Sequence, residues 1–366
     1  MLRNVLESIP GCKVVGKASN GREALEVIQK HQPDLITLDV QMPELNGIET
    51  LRELKTQNAT CQAIMVSRLT EAGASATADA LLEGAFDFIL KPSGKSPEAN
   101  QAALKSALEE KISAFRASHH VRRMAPSRSK PVSRPGAGWS SAVRQPVEQR
   151  QTVEAEPDEA TADDDVSSPS PHKSDVRAVV IGTSTGGPET LKRILPSLSE
   201  NLSVPVVIVQ HMPRGYTSSL ARSLDTVCPL EIREAEQGDE LKPGTILIAP
   251  GGHHLKLVRN AAGRVSVTLT DDPPEHGCRP SVDYALRGAV EAYDGRLLAV
   301  ILTGMGRDGT DGCRLARERG ARIVAQQEEG CVVYGMPKSV IDNKLAHRVS
   351  RLSSIAAVIN REARHS

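Results

Sequence analysis

Along this chain, short apolar runs of strand length alternate with stretches whose apolar residues return every three or four positions. Val14–Ala18 reads as a strand. Glu23–His31 reads as a helix, with Ala24, Leu25, Val27 and Ile28 on one face. Leu35–Val40 is a buried strand, Asn46–Lys55 a helix, Ala63–Ser67 a strand, Ala72–Glu83 a helix, Phe86–Leu90 a strand and Ala102–Phe115 a helix. Such alternation predicts a parallel sheet with helices on both faces. Chemistry in these sheets gathers beyond the carboxyl ends of the strands.

The alternation breaks and then restarts. Ala178–Ile181, Pro205–Val209, Thr245–Ala249, Leu297–Leu302 and Arg322–Ala325 read as strands. Leu191–Leu198, Ser218–Leu224, Val282–Tyr293, Cys313–Arg319 and Ser353–Arg364 read as helices, and Leu255–Val258 with Val265–Leu269 as a hairpin turning at Gly263. The pattern predicts two α/β domains, residues 1–116 and 175–366, the second a doubly wound parallel sheet. Between them, Ser118–Asp175 is rich in Pro, Ser, Ala and Gln. Its first half is basic (Arg122, Arg123, Arg128, Lys130, Arg134, Arg144, Arg150) and its second acidic (Glu154, Glu156, Asp158, Glu159, Asp163, Asp164, Asp165). Too little apolar surface is present there to offset ordering entropy, so residues 117–174 are expected to be a disordered linker, with Trp139 exposed in it.

Composition narrows the function classes. The 45 basic and 45 acidic side chains balance, so the whole molecule presents no field for polyanions. Aromatic residues are 2% of the chain, too few for base-stacking platforms, and no nucleic-acid partner is expected. No apolar run approaches the ~18 residues of a membrane span, and MLRNVLESIPG lacks the parts of a signal peptide. A cytoplasmic chain without membrane insertion is expected. Cys12, Cys61, Cys228, Cys278, Cys313 and Cys331 are scattered without a CxxC pair, which favours free thiols over a disulfide framework or zinc site.

Asp39 stands at the end of the apolar run DLITLDV, Ser67 at the end of the next strand and Lys91 at the end of the one after, before Pro92. An acid, a hydroxyl and an amine at three successive strand ends outline a phosphoryl site: nucleophile, partner for a phosphoryl oxygen, and cation. DLITLDVQMPELNG, the Ser67 strand and ILKP resemble the response-regulator receiver family, over residues 1 to about 116. The resemblance implies a flavodoxin-like domain in which Asp39 accepts the phosphoryl group and Ser67 and Lys91 form the switch. It also implies Mg²⁺, held by an acidic pair at the end of a first strand. This chain shows neither that strand nor that pair, and it begins inside what would be the first helix. That leaves Asp39 the sole carboxylate ligand expected. A start placed too far downstream is the preferred explanation, and a degraded receiver the alternative.

In the second domain, Gly182, Ser184 and Gly186 of IGTSTGGPETL satisfy G-x-S-x-G between a strand and a helix that opens near Pro188. Such a turn serves a nucleophilic serine or an anion-binding loop equally. His211 ends PVVIVQH and is a candidate base; His253, His254 and His276 are rivals in loops, while His172 falls in the linker. Asp308, in LTGMGRDGTDG, is the candidate acid that orients His211, with Asp311 as rival. Gly304–Gly309 also spells G-x-G-x-x-G. A dinucleotide there is disfavoured, because Asp308 would face the pyrophosphate.

GTSTGGPETL, IVQHMP, APGGHHL, CRPSVDYAL, LTGMGRDGTDG and YGMPKSV, in that order, resemble the catalytic domain of the CheB family of chemotaxis protein-glutamate methylesterases. Receiver, linker and esterase is that family's architecture. The resemblance implies Ser184 as nucleophile, His211 as general base and acid, and Asp308 as its partner. It offers the backbone of Thr185 as an oxyanion donor and places Met305 and Arg279 beside the substrate. It implies methylated chemotaxis receptors as substrate, the chemotaxis histidine kinase CheA as phosphodonor, and no cofactor for the esterase. Deamidation of receptor glutamines is a second activity of some members. The receiver is expected to cover the catalytic site until phosphorylated. Two other readings stay open at this level: a non-enzymatic response regulator binding a partner or anion through its Gly-rich loops, and a nicotinamide-dependent enzyme using Gly304–Gly309.

Overall fold

β-Branched and leucine-rich runs build both sheets, because side chains buried on both faces suit parallel strands. The structure is a computed structural model and describes residues 2–68, 70–94, 96–124 and 175–364. The first unit runs α1 (Leu2–Glu7), α2 (Gly21–His31), β1 (Leu35–Asp39), α3 (Gly47–Thr56), β2 (Gln62–Ser67), α4 (Glu71–Leu82), β3 (Asp87–Leu90) and α5 (Pro97–Met124). Its three strands lie parallel in the order β1-β2-β3. Side-chain caps set the helix starts. Asn20 caps α2 and Thr70 caps α4, while Asn46 and Glu49 close a capping box on α3.

Two expectations fail here. Val14–Ala18 forms no strand: among the described residues no strand pairs with it, and Val15 is exposed. A strand is a paired object, and an apolar run without a ladder does not become one. The expected linker does not begin at 117, since α5 continues through Met124. The remainder of that expectation, including Trp139 and His172, lies outside the described residues.

The second unit runs β4 (Ala178–Thr183), α6 (Gly187–Ile194), β5 (Val206–Gln210), α7 (Tyr216–Asp225), β6 (Glu231–Glu234), β7 (Thr245–Ile248), β8 (His254–Arg259), β9 (Val265–Thr270), α8 (Val282–Tyr293), β10 (Leu297–Ile301), α9 (Thr310–Glu318), β11 (Arg322–Gln326), α10 (Met336–Asp342), β12 (Arg348–Ser350) and α11 (Leu352–Glu362). Seven strands make one parallel sheet in the order β12-β11-β10-β4-β5-β7-β6, with β8-β9 as a separate antiparallel hairpin. The order reverses at β4, whose neighbours are β10 and β5. The carboxyl ends of these three strands therefore face one crevice, the usual place for a site in such a sheet.

One helix joins the units. In α4, EAGASATADALL, residues Ala74, Thr77, Ala78, Ala80, Leu81 and Leu82 are all buried. They cover more than one face, as in a helix with protein on both sides. Its small side chains let it pack between its own sheet and the C-terminal unit, and a single apolar cluster runs from Met65, Ala78 and Phe88 to Leu191, Tyr216 and Leu220. Polar contacts flank it: Ser223 Oγ donates to Asp79 at 2.9 Å, and Lys192 Nζ donates to the Leu82 carbonyl at 3.2 Å and lies 3.7 Å from Glu83.

Candidate active site and its cover

The turn after β4 places Ser184. Gly186 takes φ +76°, and a Cβ there would lie 2.4 Å from Val332. A Cβ on Gly187 would lie 2.1 Å from Gln210 Oε1 and 2.5 Å from Thr183 Oγ1. Glycine is therefore required at both positions, one for its backbone and one for the close approach. Gln210, at the end of β5, ties this turn to the neighbouring one: its Nε2 donates to the Ser184 carbonyl at 3.0 Å and to the His211 carbonyl at 3.3 Å. Its Oε1 is buried and has no hydrogen-bond partner among the described residues. Ser184, Thr185, Gly186, Gln210, His211 and Cys278 share one cavity of about 80 Å³.

Between the rival acids, the structure selects Asp308. His211 Nε2 is 2.7 Å from Asp308 Oδ2. The carboxylate also accepts from Val282 N–H at 2.7 Å and from the Ser281 hydroxyl, Asp283 N–H and Gly309 N–H, each at 2.9 Å. The first turns of α8 and α9 thus converge on one buried carboxylate, filling the position that a pyrophosphate would need. Asp311 is exposed and pairs with Arg314. Burial works against both charges, but their mutual bond prevails, lowering Asp308 to about 2. For His211, the bond to Asp308, aided by the neighbouring Cys278 sulfur, outweighs burial and raises it to about 9.

With Nε2 engaged by Asp308, Nδ1 is the nitrogen left for Ser184. Among the described hydrogen bonds none joins Ser184 to His211, although both line the cavity. Catalytic contacts are often long before substrate binds. A base must be neutral, and His211 is held as imidazolium below about 9. Ester hydrolysis is therefore expected to rise about tenfold per pH unit from neutrality and level above that value. Removing one cause of the shift, in Cys278→Ala, moves the inflection to lower pH; a kcat/KM profile of both proteins checks this, and an unmoved inflection contradicts it.

The weaker candidates fare differently. None of the described hydrogen bonds uses the Thr185 N–H, but its hydroxyl donates to Asp87 Oδ2 of β3 at 2.5 Å. Met305 packs against the first unit's apolar cluster with Val332 and is not in the cavity wall. Arg279 is also outside that wall: its Nη1 donates to the carbonyls of Asp271 and Asp272 at 2.9 and 3.1 Å, so it holds a loop. Sequence reasoning missed Gln210, Cys278, Asp87 and Lys111. For Asp87 and Lys111 the available signal was charge in otherwise apolar surroundings. Asp87 is buried and lies 3.1 Å from Lys111 Nζ. Burial opposes the Lys111 ammonium, yet the Asp87 and Glu110 carboxylates raise its pKa above the ordinary lysine value. Leu81, Asp87, Phe88, Glu110 and Lys111 form the cavity's other wall. A space of about 80 Å³ holds a few waters; a helix some 10 Å across does not enter it.

At the other site, Lys91 Nζ pairs with Asp39, and the Lys91 N–H donates to the Ser67 carbonyl at 2.7 Å. Among the described residues Asp39 belongs to no cluster of three metal-ligand side chains. A Mg²⁺ there would rest on Asp39 and few other protein carboxylates, with waters and phosphoryl oxygens completing its shell. The cluster that does occur, His276, Asp283 and Asp311, brings ligand atoms within 4.8 Å of one another. Its two carboxylates stand in the first turns of α8 and α9, whose dipoles disfavour a cation. All six cysteines are unpaired.

Residues 179–359 match the CheB methylesterase family, and residues 1–103 match the response regulator receiver domain. A protein-glutamate methylesterase/protein-glutamine glutaminase of Desulfotalea psychrophila is 43% identical over 364 residues, 98% of this chain and 93% of that one. Its namesake in Thermotoga maritima is 40% identical over 350 residues, 95% of this chain and 90% of that one. The crystal structure of the Thermotoga maritima CheB methylesterase catalytic domain matches with a TM-score of 0.50 and 45% identity, covering 50% of this chain and 97% of the other.

Proposed function

Since this chain belongs to the CheB methylesterase family, we propose that it hydrolyses glutamate γ-methyl esters on chemotaxis receptors in the cytoplasm. Ser184 Oγ attacks the ester carbonyl while His211 Nδ1 takes its proton. The Thr185 N–H stands next to the nucleophile as an oxyanion donor. His211 then returns the proton to the departing methoxide, and methanol leaves. Water, deprotonated by the same imidazole, resolves the acyl-serine to glutamate. Asp308 fixes the tautomer and steadies the imidazolium. A receptor glutamine takes the same route with ammonia as leaving group. No step needs a cofactor, and none is routed through Mg²⁺. The observation that carries this reading is the buried His211–Asp308 pair, whose imidazole lines one cavity with Ser184.

The same cavity has a receiver wall, so activity is regulated by access. Phosphoryl transfer to Asp39, from the chemotaxis histidine kinase or a small phosphodonor, shifts the equilibrium away from the covered arrangement. The Thr185–Asp87 contact, which crosses between the units, belongs to that arrangement; the Asp87–Lys111 pair lies within the receiver. Asp87→Asn is therefore expected to raise activity without phosphodonor roughly tenfold or more, the worth of a hydrogen bond to a charged group. An unchanged basal rate contradicts this. The function itself is tested by methanol release from methylated receptor membranes. Release is expected from the full chain, faster with phosphodonor. No release from a chain shown to be folded overturns the esterase.

A further inference from the structure

Tyr216 opens α7 and takes no part in the chemistry above. Its side chain is fully buried. Its ring stacks on Phe88 of β3, with centroids 4.9 Å apart and planes 21° apart. Its hydroxyl donates across the domain boundary, shared between Ser67 Oγ at 3.3 Å and the Arg68 carbonyl at 3.1 Å. Ser67 is the hydroxyl proposed to turn toward a phosphoryl group on Asp39, which lies in register with its neighbour Val66. The Ser67 hydroxyl also donates to the Gly73 carbonyl at 3.2 Å, in the first turn of α4.

On the other side, Tyr216 is five residues beyond His211, and its N–H donates to the Pro213 carbonyl at 3.2 Å. Pro213 is itself confined, because a Cβ on Gly251 would lie 2.2 Å from its carbonyl oxygen. A short, packed segment thus connects the phenol to the catalytic base.

We propose that Tyr216 reads the state of Ser67 for the catalytic unit, so that the switch acts on the segment carrying His211 as well as on access to the cavity. This rests on the reading that Asp39 accepts a phosphoryl group. While Ser67 is turned inward, the phenol is seated on the end of β2 and α7 is held. When the Ser67 hydroxyl turns to a phosphoryl oxygen, the phenol keeps only the Arg68 carbonyl, and the hold on α7 and the segment before it loosens. The ring stack on Phe88 provides apolar contact; the hydroxyl carries the signal.

Tyr216→Phe separates the two, since it keeps the ring and removes the hydroxyl. In the full chain without phosphodonor, it is expected to raise methanol release about 2–10-fold, the range for one buried hydrogen bond. The rate with saturating phosphodonor stays the same, so the stimulation ratio falls by that factor. Amide exchange in α7 speeds up to match. Ser67→Ala raises the basal rate by no more than Tyr216→Phe, which also loses the Arg68 carbonyl, and the double variant adds nothing beyond Tyr216→Phe, because the Ser67 contact is already gone. A Tyr216→Phe protein with the parent's basal rate, ratio and α7 exchange overturns the proposal, and so do additive effects in the double variant. If the parent releases no methanol at all, the esterase reading fails separately. The exchange of α7 in parent and Tyr216→Phe still decides the coupling.

Discussion

Ser184→Ala removes the oxygen proposed to attack and is expected to lower methyl ester hydrolysis roughly 10⁶-fold, the scale seen when a triad serine is deleted. A residue of activity above the uncatalysed rate survives, because the oxyanion turn and substrate binding remain. The substitution deletes one atom from a cavity-lining side chain, so the fold is expected to stay intact. Methanol release and thermal unfolding of the same preparation separate the two effects. Activity within tenfold of the parent would move the nucleophile elsewhere, and Cys278, which lines the same cavity as His211, is the residue that would then have to be tested.

Asp308→Asn is the second large effect. The carboxylate accepts from five groups, and an amide cannot replace both oxygens. Placed with its NH₂ toward Val282 and His211, the amide clashes donor to donor. Placed the other way, it strands Ser281, Asp283 and Gly309. The loss in kcat is expected to be about 10⁴-fold, as when a triad acid is made neutral and the histidine adopts the wrong tautomer. A stability loss of about 1–3 kcal/mol accompanies it, for the donors left unpaired. His211→Ala loses catalysis comparably while leaving Asp308 its other four donors. Denaturant unfolding of the two variants distinguishes them, and equal stabilities would show that the α8 and α9 termini do not depend on the carboxylate.

The pH dependence of stability follows from the same pair. His211 is raised to about 9, above the ~6.5 of an unfolded histidine. Its contribution is complete below about 6.5 and is lost as pH rises through 9. Asp308 is lowered to about 2, so its contribution is present above the ordinary carboxylate value of ~3.9 and is lost as pH falls through 2.

Much of this was legible because the local rules agree. The runs AVVIGT, VVIVQ and LLAVI are apolar on both faces and became three adjacent strands. Gly and Pro marked the turns between them. Asp308 was preferred to Asp311 from the motif, but the contacts that distinguish them, from the first turn of α8 about 25 residues earlier in the chain, were not legible. The edge strand Glu231–Glu234 went unread because only Ile232 is buried in it. The three-residue Arg348–Ser350 was too short for any period to register. Val14–Ala18 failed for the opposite reason: its pattern was legible, but pairing is a property of two segments.

The cover over the site was foreseen from the family's architecture; its contacts were not. α4 was readable as a helix, and the spread of its apolar positions is what its two-sided burial requires. The partners of Asp87 and Tyr216 depend on how the two units meet, which no local pattern encodes. The place of Met305 and Arg279 beside a substrate rests on the resemblance alone. One packs under the receiver and the other braces a loop, and neither lines the cavity.

The central claim, a serine esterase opened by its receiver, is tested most directly by trapping the acyl-enzyme. The full chain is mixed with phosphodonor and a helical receptor peptide bearing one glutamate γ-methyl ester, quenched in acid and mapped by mass. An adduct on Ser184 equal to the peptide minus methanol is expected, forming faster with phosphodonor and chasing to the free acid. Methanol release with no adduct on Ser184, or an adduct on Cys278 instead, would contradict it.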